Sequence, residues 1–89
     1  MLIALIARDK PGAIHTRLEN REAHIGYLKE TGVVSQAGPL LDGGDQMIGS
    51  LIILDVENLE AAEAWADGDP YAKAGLFRSV ELIPWKKVI

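Results

Sequence analysis

One stretch of this sequence carries three side chains that could do chemistry, Arg17, Arg21 and His24. Their spacing of four and then three residues places them along one side of a helix. The helical periodicity puts Arg21 inside an apolar stripe and Arg17 and His24 along its edge. An arginine in such a stripe is costly unless it is paired, so this edge is a candidate pocket wall that attracts an anion. The apolar residues of the stripe are Ile14, Leu18, Ile25 and Leu28.

A simpler interpretation of the same residues stays open. Arg21 could extend its aliphatic stem along the helix and reach solvent, and His24 could be an ordinary histidine at the boundary of the core. The second histidine, His15, is predicted to lie on the solvent side of the helix. The spacing alone therefore indicates a site without requiring one.

A carboxylate that could work with His24 stands far along the chain, at Asp69. Asp69 precedes Pro70, a pair typical of a helix start in which aspartate caps the helix and proline takes its first position. If this turn lies beside the first helix, Asp69 can orient the imidazole and favour its protonated form. His24 would then serve as general acid or base. Otherwise Asp69 is only a cap.

Composition and motifs exclude several classes of protein. The sequence has no cysteine and two histidines, so we expect no metal and no cofactor. It has no nucleophile elbow, P-loop or dinucleotide fingerprint. The formal net charge of −4 argues against nucleic acid and against an anionic membrane surface as partners. Four glycines belong to the hairpin and none of them leads directly into a helix, so we expect no phosphate cradle: Gly38, Gly43, Gly44 and Gly49.

The N-terminal apolar run predicts a strand and not a leader peptide. Met1–Ala7 has no basic region ahead of it and is followed by Arg8-Asp9-Lys10. No apolar run approaches the roughly 20 residues that span a bilayer. We therefore expect a cytoplasmic protein.

The elements that must position these side chains follow the order β-α-β-β-α-β, which is the ferredoxin-like arrangement. We expect one α+β domain, residues 1–89, with two helices on one face of a four-stranded antiparallel sheet. Gly32 is expected to end the first helix and Asn58 to cap the second. The expected elements are strands Leu2–Ala7, Val33–Leu41, Met47–Val56 and Phe77–Trp85, helices Ala13–Thr31 and Asn58–Asp67, and a helical turn Asp69–Gly75.

Both faces of the third strand are largely apolar, and this predicts a homodimer. A one-sided antiparallel sheet should alternate apolar and polar residues, and two helices cover only one face. A domain of 89 residues also has a thin core, which oligomerisation can complete. The two alternating sets are Ile48, Ser50, Ile52, Leu54, Val56 and Met47, Gly49, Leu51, Ile53, Asp55.

Several short motifs together resemble a known family, nearly from end to end of the chain. They are Arg17, Arg21-x-x-His24, Ala37-Gly38-Pro39, Gly49-Ser50, Leu59-Glu60-Ala61-Ala62 with Ala64-Trp65-Ala66, Asp69-Pro70-Tyr71 and Pro84-Trp85-Lys86-Lys87. The combination is similar to the YciI-like (YCII-related) family. The resemblance implies a ferredoxin-like fold of the dimeric α/β-barrel type and an active site centred on His24 and Asp69. One relative is described as a dehydrochlorinase of a chlorinated hydroxymuconate-type acid. The hairpin loop at Asp42–Gln46 is shorter than in some relatives.

These observations lead to one functional hypothesis and two alternatives. The hypothesis is a small cofactor-independent enzyme, of lyase or hydrolytic type, acting on a small anionic organic acid. His24 moves the proton, and Asp69 orients the imidazole of His24. Arg17 or Arg21 holds the carboxylate of the substrate. The alternatives are a binding or regulatory module with the same basic pocket, and a purely structural dimer, which leaves the polar residues of the stripe unexplained. The remaining substrate-binding candidates are Gly38, Pro39, Ser50, Pro70 and Tyr71.

Overall fold

The computed structural model describes all 89 residues and confirms the ferredoxin-like α+β fold. The four strands pair antiparallel in the order β2-β3-β1-β4. Each predicted element is present, and the bounds differ from the predicted ones by a residue or two. They are β1 Leu2–Asp9, α1 Ile14–Thr31, β2 Val34–Leu41, β3 Met47–Asp55, α2 Leu59–Gly68, α3 Pro70–Lys73 and β4 Phe77–Trp85.

Local signals set the ends of the helices as predicted. Gly32 ends α1 with a left-handed φ of 69°, which glycine adopts without steric cost. The Asn58 side chain accepts a hydrogen bond of 2.8 Å from the backbone N–H of Ala61 and so caps α2. Asp69 caps α3 in the same way, accepting from the N–H of Tyr71 at 3.0 Å.

The core lies between one face of the sheet and the helices. Side chains of β1 and β3 on this face pack against Ala62 and Trp65 of α2. Two hydrogen bonds join α1 to α2: the Tyr27 hydroxyl donates to the Trp65 carbonyl at 2.7 Å, and the Trp65 indole donates to Thr31 Oγ1 at 2.9 Å. The sheet residues of the core are Ile3, Leu5, Ala7, Ile52 and Leu54.

No helix covers the opposite face of the sheet, which we call the open face. Its centre is apolar, and Leu51, Ile83 and Trp85 are 40%, 44% and 41% exposed on it. A shallow hollow of about 440 Å³ lies there beside β2. Only 16 of the 89 residues are buried, so the single chain has a thin core for its length. No helix combines the length and apolar character needed to cross a membrane.

Candidate active site

A pocket of about 160 Å³ opens between α1, the hairpin of β2 and β3, and α3. This volume suits a molecule of about one six-membered ring, since an engineered cavity of roughly 150 Å³ accepts benzene. Half of the wall is apolar and the other half brings polar side chains together. The lining residues are Arg17, Arg21, His24, Ile25, Leu28, Ala37, Gly38, Pro39, Met47, Ser50, Ile52 and Tyr71.

His24 and Asp69 form a buried hydrogen-bonded pair. The distance from His24 Nδ1 to Asp69 Oδ1 is 2.7 Å, and the two side chains are 9% and 1% exposed. An ionised carboxylate can only accept a hydrogen bond, so Nδ1 of His24 carries a proton and donates a hydrogen bond to Asp69. In the neutral ring Nε2 is then the basic nitrogen, and it has no hydrogen-bond partner within the protein.

Asp69 serves the pair and the fold at once. Its Oδ1 accepts from His24 Nδ1 and also from the backbone N–H of Tyr71, so the helix cap fixes the carboxylate. Its Oδ2 is buried and has no hydrogen-bond partner. Asp69 does not line the pocket but stands behind His24, where it can act only through the imidazole.

The Tyr71 ring stacks on His24. The two ring centroids are 3.9 Å apart and the planes differ by 13°. The Arg17 guanidinium also lies over the tyrosine, with Cζ 4.7 Å from the ring centroid. Burial raises the pKa of Tyr71, although the charges of Arg17 and Arg21 act in the opposite direction, so the phenol stays neutral at physiological pH.

Arg17 is buried and forms a bidentate ion pair with Asp9. Its Nε and Nη2 donate to the two carboxylate oxygens of Asp9 at 2.7 and 2.9 Å, and Nη2 also donates to Ser50 Oγ at 3.0 Å. Burial alone would lower the pKa of Arg17, but the hydrogen bonds and charge of Asp9 outweigh it and leave the pKa above its usual value. The bidentate pair compensates the buried charge.

The first helix is rotated relative to the predicted orientation, and the exposure of Arg21 shows this. Arg21 is exposed and makes no ion pair, whereas the side chains of Arg17 and His24 are only 3% and 9% exposed. Leu18, expected in the apolar stripe, is 53% exposed. The buried line of α1 therefore runs through Arg17 and His24, because Asp9 and Asp69 satisfy them from other elements. Arg21 stands at the edge of the pocket as a free cation.

The structure brings together most of the predicted site residues. Arg17, Arg21, His24, Gly38, Pro39, Ser50 and Tyr71 all line the pocket, with Asp69 behind His24. Pro70 does not line it and instead occupies the first position of α3.

Sequence reasoning missed Asp9 and much of the apolar wall. The first strand was expected to end at Ala7, but β1 extends through Asp9, with a pairing irregularity between Arg8 and Asp9. No local signal connects it with Arg17. The missed wall residues are Ile25, Leu28, Ala37, Met47 and Ile52.

No group of three or more His, Cys, Asp or Glu side chains is arranged to hold a metal ion.

The amino-acid sequence of the chain is similar to the sequences of several known proteins. Protein YciI of Escherichia coli is 40% identical over 97 aligned residues, which cover 99% of each chain, and its counterpart in Shigella flexneri matches equally well. An uncharacterized protein of Haemophilus influenzae is 36% identical over the same share of both chains.

A solved structure extends the likeness to three dimensions. It is 5-chloro-2-hydroxyhydroquinone dehydrochlorinase (TftG) from Burkholderia phenoliruptrix in complex with 2,5-dihydroxybenzoquinone, at a TM-score of 0.90 and 32% identity, covering 97% of this chain and 94% of that one. Its named substrate is a chlorinated aromatic ring and not the muconate-type acid expected from the resemblance. An antibiotic biosynthesis monooxygenase, 14% identical with a TM-score of 0.58, shares the fold alone.

The likeness supports the predicted dimeric α/β-barrel type of ferredoxin-like fold. Residues 1–86 match the sequence model of the YCII-related domain family. The chain belongs to the YCII-related domain family.

Proposed function

We propose that this protein is a small cofactor-independent enzyme that moves a proton on a small anionic organic acid, in an elimination or a hydrolysis. The observation that carries the proposal is the 2.7 Å contact between His24 Nδ1 and Asp69 Oδ1 at the wall of a ring-sized pocket. A buried imidazole that is oriented through one nitrogen and unpartnered at the other is the arrangement a general base requires.

The steps follow from the atoms of the pair. Nε2 of His24 takes a proton from an acidic O–H or C–H of the bound acid, and Asp69 stabilises the resulting imidazolium through Nδ1. In an elimination, the electrons of the broken bond to hydrogen form a new π bond. The bond to the leaving group breaks, and the group departs with its electron pair. For a chlorinated hydroquinone, the ring carbon that bears chlorine first gains a hydrogen in the keto tautomer, with the proton coming from a ring hydroxyl. The elimination then gives a quinone, chloride and the proton on His24, which solvent removes.

The size and charge of the pocket favour a planar ring acid. The volume of about 160 Å³ admits one ring, and Arg21 offers the only charge without a counter-ion among the lining residues. The 32% identical relative, a dehydrochlorinase solved with 2,5-dihydroxybenzoquinone, supports the same class. Such a compound is acidic because each of its hydroxyls is conjugated to a carbonyl and behaves as a vinylogous carboxylic acid.

The test is release of chloride from 5-chloro-2-hydroxyhydroquinone without oxygen, because air oxidises this compound. We expect turnover by the wild type and a loss of roughly 10²–10⁴-fold in His24→Asn. Asp69→Asn should lower the rate by up to about 10⁴-fold. The exposed histidine of the same helix gives the control, and His15→Asn should keep the wild-type rate.

The same assay separates the enzyme from its main alternative, a non-catalytic binding or regulatory module. A module would be stabilised against heat by 2,5-dihydroxybenzoquinone but would release no chloride above the buffer rate. Wild-type turnover that persists in His24→Asn would refute the role given to the histidine.

We propose further that the chain acts as a homodimer that buries the open face of the sheet. Leu51, Ile83 and Trp85 leave an apolar surface there that the helices of one chain cannot cover. A second copy supplies the same surface and closes it by two-fold symmetry. The mass in solution, measured by light scattering, tests this assembly.

A further inference from the structure

Tyr71 was expected to contact the substrate, but little of its side chain is free to do so. It is 1% exposed, although it forms part of the pocket wall. Arg17 and His24 lie seven residues apart on α1, which is two turns or about 10 Å along the helix. The tyrosine ring inserts between them and contacts both, and its edge meets Phe77 with the centroids 6.0 Å apart.

His24 needs more than one restraint to present Nε2 to the pocket. The hydrogen bond from Nδ1 to Asp69 fixes one atom but leaves the imidazole free to rotate about that contact. The stack on Tyr71, 3.9 Å between centroids and 13° between planes, fixes the plane of the ring. The two restraints together determine the direction of Nε2.

Both restraints originate in the same three residues. Asp69 and Tyr71 flank Pro70, whose ring presets the backbone at the first position of α3. The N–H of Tyr71 donates to the Asp69 oxygen that also binds His24, so the tyrosine backbone orients the carboxylate as well. On its other side Tyr71 contacts Arg17, which Asp9 and Ser50 hold in place.

We propose that Tyr71 is a positioning residue that fixes the plane of the His24 imidazole and takes no direct part in substrate binding. The inference rests on the proposed function, because it assigns Tyr71 to the proton transfer performed by His24. It replaces the role predicted from sequence, in which Tyr71 belonged to the substrate-binding set.

Two substitutions separate the ring from its hydroxyl. Tyr71→Phe keeps the aromatic ring, and Tyr71→Leu keeps an apolar side chain but removes the stack. With 5-chloro-2-hydroxyhydroquinone, we expect kcat of Tyr71→Phe within about threefold of the wild type. Tyr71→Leu should lower kcat by about tenfold or more, because a misoriented base transfers protons poorly, while KM stays within about twofold.

An NMR measurement on the free protein gives a readout that needs no turnover. The ring protons of His24 should be shifted upfield by the tyrosine ring current in the wild type and in Tyr71→Phe. In Tyr71→Leu they should return toward the positions of an unstacked histidine, and the Nδ1–H signal should broaden through faster exchange with water. If Tyr71→Leu does not fold, the wild-type and Tyr71→Phe spectra still decide whether the stack exists.

Several results would overturn the inference. One is an unchanged His24 spectrum in Tyr71→Leu, and another is a raised KM with unchanged kcat, which would mark a substrate contact. Unshifted His24 ring protons in the wild type would also refute it. Failure of the proposed function looks different, because it appears as absent chloride release in the wild type while the His24 spectra still respond to the loss of the ring.

Discussion

Replacement of Arg21 by glutamine tests which of the two arginines recognises the charge of a ligand. Arg17 is neutralised by a bidentate pair with Asp9, whereas Arg21 lines the pocket, is exposed and has no acidic partner. Arg21→Gln should therefore weaken the binding of an anionic ligand and leave the binding of a neutral compound with the same six-membered ring unaffected. The ligands are 2,5-dihydroxybenzoquinone, ionised at neutral pH, and neutral hydroquinone.

The expected magnitude follows from the exposure of Arg21. A hydrogen bond to a charged group contributes about 1.5–3 kcal/mol, and contact with solvent places Arg21 toward the lower end. A loss of about 1–2 kcal/mol corresponds to a Kd raised by roughly 5- to 30-fold. Isothermal titration calorimetry with both ligands measures the change, and Arg21→Lys should retain part of the affinity because it keeps the charge but not the planar fork.

Lys29→Gln supplies the matched control. It removes the same charge from the last turn of α1 and does not alter the pocket wall. Lys29 lies eight residues from Arg21, which is about 12 Å along α1. We expect its effect on the binding of the anionic ligand to stay within about twofold, because solvent screens charges beyond roughly 10 Å at 0.1 M salt. Equal weakening by Arg21→Gln and Lys29→Gln would mean that only the general field of the protein matters. An unchanged Kd in Arg21→Gln would refute the assignment outright.

Two further predictions concern pH and assembly. Burial raises the pKa of both tyrosines, Tyr27 and Tyr71, so less than half of the tyrosine of the folded protein should absorb as tyrosinate at pH 10. Because the pKa of each tyrosine is higher in the folded than in the unfolded protein, the two tyrosines contribute fully to stability below the unfolded pKa of about 10. That contribution is lost as pH rises through the folded pKa values. Half-ionisation of the tyrosines at pH 10 in the folded protein would contradict this prediction. Leu51→Glu on the open face should give monomers or unfolded chain by light scattering. Leu18→Glu, at an exposed position of α1, is the control and should keep the wild-type mass. A Leu51→Glu protein that is still a dimer would exclude the open face as the dimer interface.

The order and type of the elements could be predicted from the sequence because their signals are local. Gly32, Asn58 and Asp69-Pro70 each act on the few residues beside them, and each ends or begins a helix as predicted. The two apolar faces of β3 were equally visible, since alternation along a strand depends only on its own residues. The sequence left open which face the helices cover, and the structure answers that Ile52 faces them and Leu51 does not.

The composition of the candidate site was predicted only in part. Arg17, Arg21 and His24, which are spaced by four and three residues on α1, line one pocket. Periodicity alone did not determine how buried each of them is, because it assumes that apolar residues define the buried side. A charged residue can be buried when a partner compensates it, and Asp9, which compensates Arg17, lies on a different element.

The sequence by itself determined the fold and the residue types that could form a site. Only the tertiary structure decided that His24 reaches Asp69 across 45 positions of the chain, that Tyr71 stacks on the imidazole and that Arg21 stays free. Helix starts and strand alternation depend on neighbouring residues, and the chain records them locally. Contacts between distant elements depend on how those elements pack in three dimensions, and no spacing within a single element encodes that arrangement.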